Sequence, residues 1–382
     1  MITYIVICCI LLVLALIEDD NRITPNNRRA SFFAIAIVMT LFQGLRWETG
    51  GDWAQYMYTF YHSSWDKILT FERGYQGRYM EWGYMLLNVS IKSIFHHYTF
   101  FLLITCGFVN YTLLHFVDKY VKHHKGLALA LAICFFSMFP VRQFLAAALL
   151  FWSIPYVEQR DWKRFFIIVL LCYTIHNSSL VLVIVFWFHK QIKSWILLGL
   201  YWSISFWAIF IPTIITRLLS ISYIKETSFG SLMSFYSSGI IEGTSGDIDV
   251  NQPIRAIILA SILILMFCWM RSKIRDKNRL IIINILLNLY VLGCIGKSLA
   301  SINGLSELAR LSYYSGLSVG ILIAYSITVV RIYKKSFLLP LRVFVILLFV
   351  YHFISFTNNT YREFSVPYYS VFEDAPIRSR WM

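Results

Sequence analysis

Apolar runs close to twenty residues long recur along this chain from its first residues to its last third. A helix of that length reaches about 30 Å at 1.5 Å per residue, the thickness of a bilayer's hydrocarbon core. In lipid every backbone N–H and C=O must find its partner inside the protein, which leaves helices and closed barrels. The runs are continuous, without the alternation of a barrel strand, so they are read as helices. Only 14% of the residues are charged against 58% hydrophobic. That leaves too little polar surface to cover a water-soluble body of 382 residues. The sequence therefore predicts an all-α, polytopic integral membrane protein, with 1–382 as a single membrane domain.

Spans are expected near 2–17, 30–45, 98–117, 126–140, 143–157, 164–176, 178–189, 195–217, 254–270, 280–298, 311–330 and 338–356. They number roughly twelve, and several are short. Pro140 and Pro155 stand where they would break two of them into re-entrant halves. The first stretch, Ile2 to Ile17, has the length of a signal peptide. It lacks a basic start and a small-residue cleavage site, and is read as a retained span.

Loop charge sets the orientation. Basic residues follow the first, third, fifth, seventh, ninth and eleventh spans: Arg22, Arg28 and Arg29; Lys119, Lys122 and Lys125; Arg160, Lys163 and Arg164; Lys190 and Lys193; Arg271 to Arg279; Arg331, Lys334 and Lys335. By the positive-inside rule these loops are cytoplasmic and both termini lie outside, which also accounts for a net charge of +14. Trp82 to His97 is apolar enough to tempt a thirteenth span, but a crossing there would put the later basic loops outside. It is read as a helix along the outer interface, where Lys92 sits comfortably. Three substantial outer segments result: 45–98, 218–253 and the tail 357–382.

The seven cysteines lie in apolar runs without ligand spacing and read as small hydrophobes. No metal site is expected. No soluble basic face suits nucleic acid, and no Gly-x-Ser-x-Gly, His-Glu-x-x-His or Walker pattern is present. Asp247 and Asp249 form an Asp-x-Asp in a Gly/Ser-rich outer loop and read as a solvated turn.

Outer-side arginines break the positive-inside pattern: Arg46, Arg73, Arg78, Arg142, Arg255 and Arg310. Each is either a snorkelling interfacial residue or part of an anion site, and guanidinium forks bind phosphate bidentately. The densest cluster runs Arg46-Trp47-Glu48-Thr49-Gly50-Gly51-Asp52-Trp53, with Tyr56 one helical turn beyond Asp52. Gly50 and Gly51 permit a sharp turn with positive φ. Asp52 either caps the following helix or acts on Arg46 and the substrate. Glu81 either caps the 82–97 helix or pairs with a basic residue. Arg142-Gln143 stands between two apolar runs, where Gln143 offers an amide to a sugar hydroxyl. His176-Asn177-Ser178-Ser179 is a polar patch at the outer boundary, either structural or functional.

The ordered set Arg46…Gly51-Asp52…Tyr56, Glu81-Trp82-Gly83, Arg142-Gln143, His176-Asn177-Ser178, Arg310 and Val366-Pro367-Tyr368 resembles the EpsG family, grouped with the Wzy-type polymerases of bacterial O-antigen and exopolysaccharide. Departures are visible: the family usually begins the first motif Arg-aromatic-x-x-Gly and follows the Asp with an aromatic, where this chain reads Arg46-Trp47-Glu48-Thr49-Gly50-Gly51-Asp52-Trp53, and Trp82 stands where a proline often follows the glutamate. The resemblance implies a GT-C-like membrane glycosyltransferase in the bacterial inner membrane. Such an enzyme joins polyprenyl-diphosphate-linked oligosaccharides (undecaprenyl diphosphate as the carrier) on the periplasmic face without a cofactor. Donor, acceptor and membrane lipid are the implied partners, with a chain-length regulator as a further candidate. Arg46, Asp52, Arg142 and His176 are the candidate catalytic residues. Tyr56, Glu81, Gln143 and Arg310 are the candidate substrate-binding residues. The arginines would hold the diphosphate leaving group, and Asp52 or His176 would take the acceptor proton.

Two rivals share the membrane setting. An O-antigen ligase uses the same donor but gathers its residues in one large outer loop, whereas here they run from Arg46 to Arg310. A lipid-linked oligosaccharide flippase would place charges mid-membrane, whereas here they lie at span ends.

Overall fold

The computed structural model describes residues 1–69, 74–75, 78–136, 138–139, 141–219, 251–300, 306–357 and 362–373. Arg73, Pro140, Asp247, Asp249, nearly all of the expected 218–253 segment and the end of the tail lie outside these residues. So does the side chain of Arg78.

The described chain is helical, with strands only two residues long. In order come α1 (Ile2–Asp19), α2 (Pro25–Gly44), strand β1 (Arg46–Trp47), α3 (Trp53–His62), α4 (Trp65–Leu69) and the hairpin β2–β3 (Gly74–Tyr75, Arg78–Tyr79). Then follow α5 (Trp82–Ile94), α6 (Tyr98–Tyr120), α7 (Lys125–Phe136), α8 (Arg142–Phe151), α9 (Ile154–Gln159) and α10 (Trp162–Ile175). A 3₁₀ helix, Asn177–His189, precedes the helices Ser194–Leu219, Asn251–Ser272 and Lys277–Leu299, the 3₁₀ turn Ser306–Ser315, and the helices Gly316–Tyr333 and Leu338–Thr357. Strand β4 (Tyr369–Ser370) closes the described tail by pairing antiparallel with β1.

Helical elements coincide with every expected span, but among the described residues six are long and apolar enough to cross a membrane: Ile2–Asp19, Tyr98–Tyr120, Ile254–Ser272, Lys277–Leu299, Leu308–Tyr333 and Lys335–Ser355. Several of the other expected spans depart from a single long apolar α-helix for local reasons. The expected 143–157 span is two helices, because Pro155 has no N–H to give and the chain turns at Trp152-Ser153 just before it. Helix α7 stops at Phe136 instead of residue 140. Helix α2 opens on Asn26-Asn27-Arg28-Arg29, which dilutes an otherwise apolar run. The expected 178–189 span is wound as 3₁₀ along Asn177–His189. At about 2 Å per residue it extends further than an α-helix of equal length.

The chain divides into two compact units, Met1–Trp187 with Val319–Met382, and Phe188–Ser318. In the first, the basic loops share one end. Asp19, at the end of α1, meets His124 Nδ1 at 2.5 Å and Arg342 Nη2 at 3.0 Å. The Glu18 carboxylate accepts the Gly126 N–H at 2.9 Å. Tyr120 donates to Glu158 at 3.0 Å, and Tyr325 donates to the Tyr120 carbonyl at 2.8 Å. The α2–β1 junction, the start of α5, the start of α8, the end of α10 and the tail gather at the opposite end. Helix α5 starts beside the end of α10 and is followed by His97, which stacks on Trp47 at 5.7 Å.

In the second unit, buried Arg271 donates to the Asn284 side chain, the Ile192 carbonyl and Ser194 Oγ. Asn288 donates to the carbonyls of Phe188 and Lys190. Asp276 caps the Lys277–Leu299 helix through the N–H groups of Asn278 and Arg279.

Candidate functional site

Arg46 follows α2 directly and is held in place by the far end of the chain. In the β1–β4 ladder it stands opposite Ser370, with Trp47 opposite Tyr369. The Gly50 N–H donates to the Phe364 carbonyl at 2.8 Å. Tyr368 stacks on Phe42 at 4.6 Å and donates to the Phe42 carbonyl at 2.7 Å. The turn between strand and α3 carries positive φ at Glu48 (42°) and Gly50 (111°). Of the two glycines expected there, it is Gly50 that uses its freedom. The Arg46 side chain is 1% exposed. Its guanidinium lies 4.9 Å from the Phe139 ring, and Nε and Nη1 have no hydrogen-bond partner. A buried cation in that condition is costly unless an anion meets it.

Asp52 occupies the N-cap position of α3, yet its side chain is exposed and makes no capping bond. Capping is therefore not what its carboxylate does in this structure. One turn on, Tyr56 is buried and packs edge-on to Tyr84 at 5.8 Å. The Arg142 guanidinium lies about equally far from both rings, 5.9 Å and 6.0 Å.

Glu81 is the hub of the second cluster. It holds the N-cap position of α5 without a capping bond. Oε2 accepts from Arg142 Nη1 at 2.6 Å, and Oε1 accepts from the backbone N–H of Asn177 at 3.0 Å. His176 Nδ1 lies 3.3 Å from the same Oε1, within reach but off the hydrogen-bond line. Of the two readings the sequence left open, pairing is the one observed. Burial works against ionising this carboxyl. His176, the Arg142 charge and the Asn177 N–H outweigh it, and the group sits below its ordinary value. For Arg142 burial likewise disfavours the charge, and Tyr56, Glu81, Tyr84 and Asp52 more than offset it.

Gly83 makes this contact attainable. A Cβ there would come within 2.8 Å of the Thr174 side chain and carbonyl. The bare backbone lets the first turn of α5 lie against the last turn of α10, which sets Glu81 beside His176 and Asn177. His176 itself is the C-cap of α10, with extended backbone, and is 5% exposed. Its Nε2 has no partner.

Several more buried polar atoms at this end lack partners: Trp53 Nε1, Tyr84 OH, Tyr98 OH, Arg142 Nε and Ser179 Oγ. Tyr98 packs on Trp53 at 5.7 Å and on Phe101 at 5.7 Å, and Phe101 meets Tyr84 at 6.0 Å, so a chain of rings joins the Arg46 cluster to the Arg142 cluster. Trp53 and Ser179 fall inside the motifs read from the sequence without a role of their own, and Tyr98 was not singled out. Aromatic residues are abundant here, and only their unpaired polar atoms distinguish these. Gln143 is half-buried in the first turn of α8. Arg255 is exposed and Arg310 half-buried, and both belong to the second unit. Of the outer arginines expected to converge, the structure brings Arg46 and Arg142 to one end of the first unit.

A family model, the EpsG family, matches residues 29–370. The chain belongs to the EpsG family. The EpsG match starts inside α2 and ends at β4, so it takes in every residue of both clusters as well as Arg310. EpsG proteins are associated with polymerase- and glycosyltransferase-type function in exopolysaccharide synthesis, and this member is an integral membrane protein by its apolar helices. No curated protein and no solved structure matches it.

Proposed function

We propose that this EpsG-family chain is a polysaccharide polymerase that joins polyprenyl-diphosphate-linked oligosaccharide repeat units at the periplasmic face of the bacterial inner membrane. The observation that carries the reading is the buried Arg46 guanidinium, with two N–H donors left without partners at the end of the unit away from the basic loops. A lipid diphosphate offers the charge and the acceptor oxygens such a group needs. The basic loops face the cytoplasm by the positive-inside rule. The site then faces outward, where no nucleotide sugar is present and a lipid-borne donor is required.

The reaction is a single displacement with inversion, without a metal. The acceptor hydroxyl oxygen forms the new bond to the donor's anomeric carbon. The bond from that carbon to the diphosphate breaks, and its electron pair leaves with the lipid diphosphate. Arg46 stabilises the charge that develops on the leaving group, the largest single contribution in many enzymes of this kind. Arg142 already has Glu81 as counter-ion, and its remaining donors and the facing Tyr56 and Tyr84 rings suit sugar better than phosphate. Asp52, whose side chain is exposed, would orient the acceptor.

The test is extension of a defined polyprenyl-diphosphate repeat unit by purified protein, with and without chelator. Wild type is expected to make polymer in both conditions, and Arg46→Ala to lose it. A folded Arg46→Ala protein with wild-type extension sinks the reading. In cells, loss of function should leave a single repeat unit on the acceptor; unattached long polymer would indicate a ligase instead. A reporter fused near Gly246 should read outside and one near Lys277 inside.

A further inference from the structure

His176 and Glu81 meet in a geometry with a consequence for proton transfer. Imidazole carries one proton on either nitrogen, and the partner of one nitrogen decides which. Here Nδ1 lies 3.3 Å from Glu81 Oε1, off the hydrogen-bond line, so the carboxylate favours a proton on that nitrogen through its charge, while Nε2 is buried without a partner. Glu81 is itself fixed from two other elements, by Arg142 at the start of α8 and by the Asn177 N–H at the start of the 3₁₀ helix. We propose that Glu81 is a positioning residue that holds the Nδ1–H form of His176 and so leaves the Nε2 lone pair as the acceptor for the sugar hydroxyl proton. This rests on the polymerase reading and narrows it, because it assigns the base to His176 rather than Asp52.

The balance is simple. As the acceptor oxygen bonds to the anomeric carbon, its proton passes to Nε2. The imidazolium that forms is stabilised across the ring by Glu81, whose own charge is shared with Arg142. The electron pair of the broken bond leaves on the diphosphate. His176 then returns its proton to solvent or to the departing diphosphate. The charged and titratable groups around this ring are Glu81 from the start of α5 and Arg142 from α8, with Tyr56, Tyr84 and Asp52 grouped about Arg142. Asp52 has no such arrangement, since its carboxylate is exposed and bonded to no described residue. Two other elements converge on Glu81, and Gly83 of its own helix opens the approach, more than a cap requires. Each fixes one feature of the pair: Arg142 the carboxylate's charge, Asn177 its rotamer and Gly83 its approach to α10.

The experiment has two arms. The first needs no substrate: nitrogen NMR of the full-length protein labelled at histidine, with His176→Gln to assign the signal. The wild type is expected to show the Nδ1–H form for His176, and Glu81→Gln to lose it. The second arm measures extension of a polyprenyl-diphosphate repeat unit. Glu81→Gln is expected to lower kcat about 30-fold or more with KM changed less than about 3-fold, because a misplaced base affects the chemical step and not ground-state binding. Glu81→Asp is expected to recover part of the loss. Melting curves confirm that these near-isosteric variants fold. An Nε2–H form in the wild type, or wild-type kcat in a folded Glu81→Gln, overturns the proposal. If NMR gives the expected form while the wild type extends no lipid-diphosphate oligosaccharide, the polymerase reading fails and the histidine assignment stands.

Discussion

At the end of the first unit that carries the basic loops, Asp19 lies between His124 and Arg342, Glu18 takes the Gly126 N–H, and Lys125 meets Asp118 at 2.5 Å. At the opposite end Arg46 is buried with two donors unmet, and unpaired polar atoms of Trp53, Tyr84, Tyr98, Arg142, His176 and Ser179 lie at the same end. The two ends are built from similar residue types. The first matches cation to anion and ties helix ends together, leaving a few donors unpaired, such as His124 Nε2 and Arg28 Nε. The second keeps its donors in reserve. Buried polar atoms in folded proteins are nearly always bonded, so a cluster of exceptions marks where a ligand is met and not where stability is made. The comparison predicts that substitutions at one end change activity and at the other change melting.

The largest effect is expected at Arg46. Arg46→Ala removes a buried charge that has no described anion and gives up only its contact with the Phe139 ring, so folding should be preserved or improved while extension falls about 100-fold or more. Parallel melting and extension assays measure both. If Arg46→Ala melts many degrees lower, the guanidinium is a structural element and the contrast between the ends collapses.

Next comes Gly83→Ala. Its Cβ would press on Thr174, and packing that tight costs about 1–3 kcal/mol when the helices cannot separate. Melting temperature and kcat are both expected to drop, because Glu81 moves away from His176 as α5 shifts. An alanine tolerated in both assays would show that the α5–α10 approach has slack.

The reverse case is Asp19→Asn. It should lower the melting temperature by a few degrees and leave kcat/KM within about 3-fold. The Arg342 partner is 40% exposed, so most of the loss comes through buried His124. Loss of extension without loss of stability would mean that the two ends are coupled.

Much of this was legible in the sequence. Each expected span found a helical element, because runs such as Ile2–Ile17 or Leu338–Phe353 have no other stable form in lipid. The Arg46 cluster, the Arg142-Gln143 step and the His176 patch were legible as polar residues at apolar boundaries. The winding of the short segments was not: Asn177–His189 is 3₁₀, and the chain breaks before Pro155 into two helices. Nor was the choice between capping and pairing at Asp52 and Glu81. Position supplies the N-cap in both, but side-chain direction is set by partners 61 and 96 residues away in the case of Glu81. The closing Val366-Pro367-Tyr368 was visible as a motif, while its role as a brace on Phe42 and Arg46 depends on a strand pairing across the length of the chain.

The smallest predicted effect sharpens the comparison most closely, since it asks a stability question of the reserve end. The Glu81 carboxyl is held below its ordinary value of 4.5 in the folded protein. A carboxyl depressed in this way contributes stability that is fully present above the unfolded value and is lost as pH falls through the folded one. Wild-type melting should therefore decline as pH drops below about 4.5, and Glu81→Gln, which has no proton to take up, should show a flatter acid limb. The difference between the two curves isolates one carboxylate from all the others that titrate in the same range. If the curves run parallel, the contacts to Arg142, His176 and Asn177 are formed without net gain. The site end would then be reserved for ligand even at its best-paired residue.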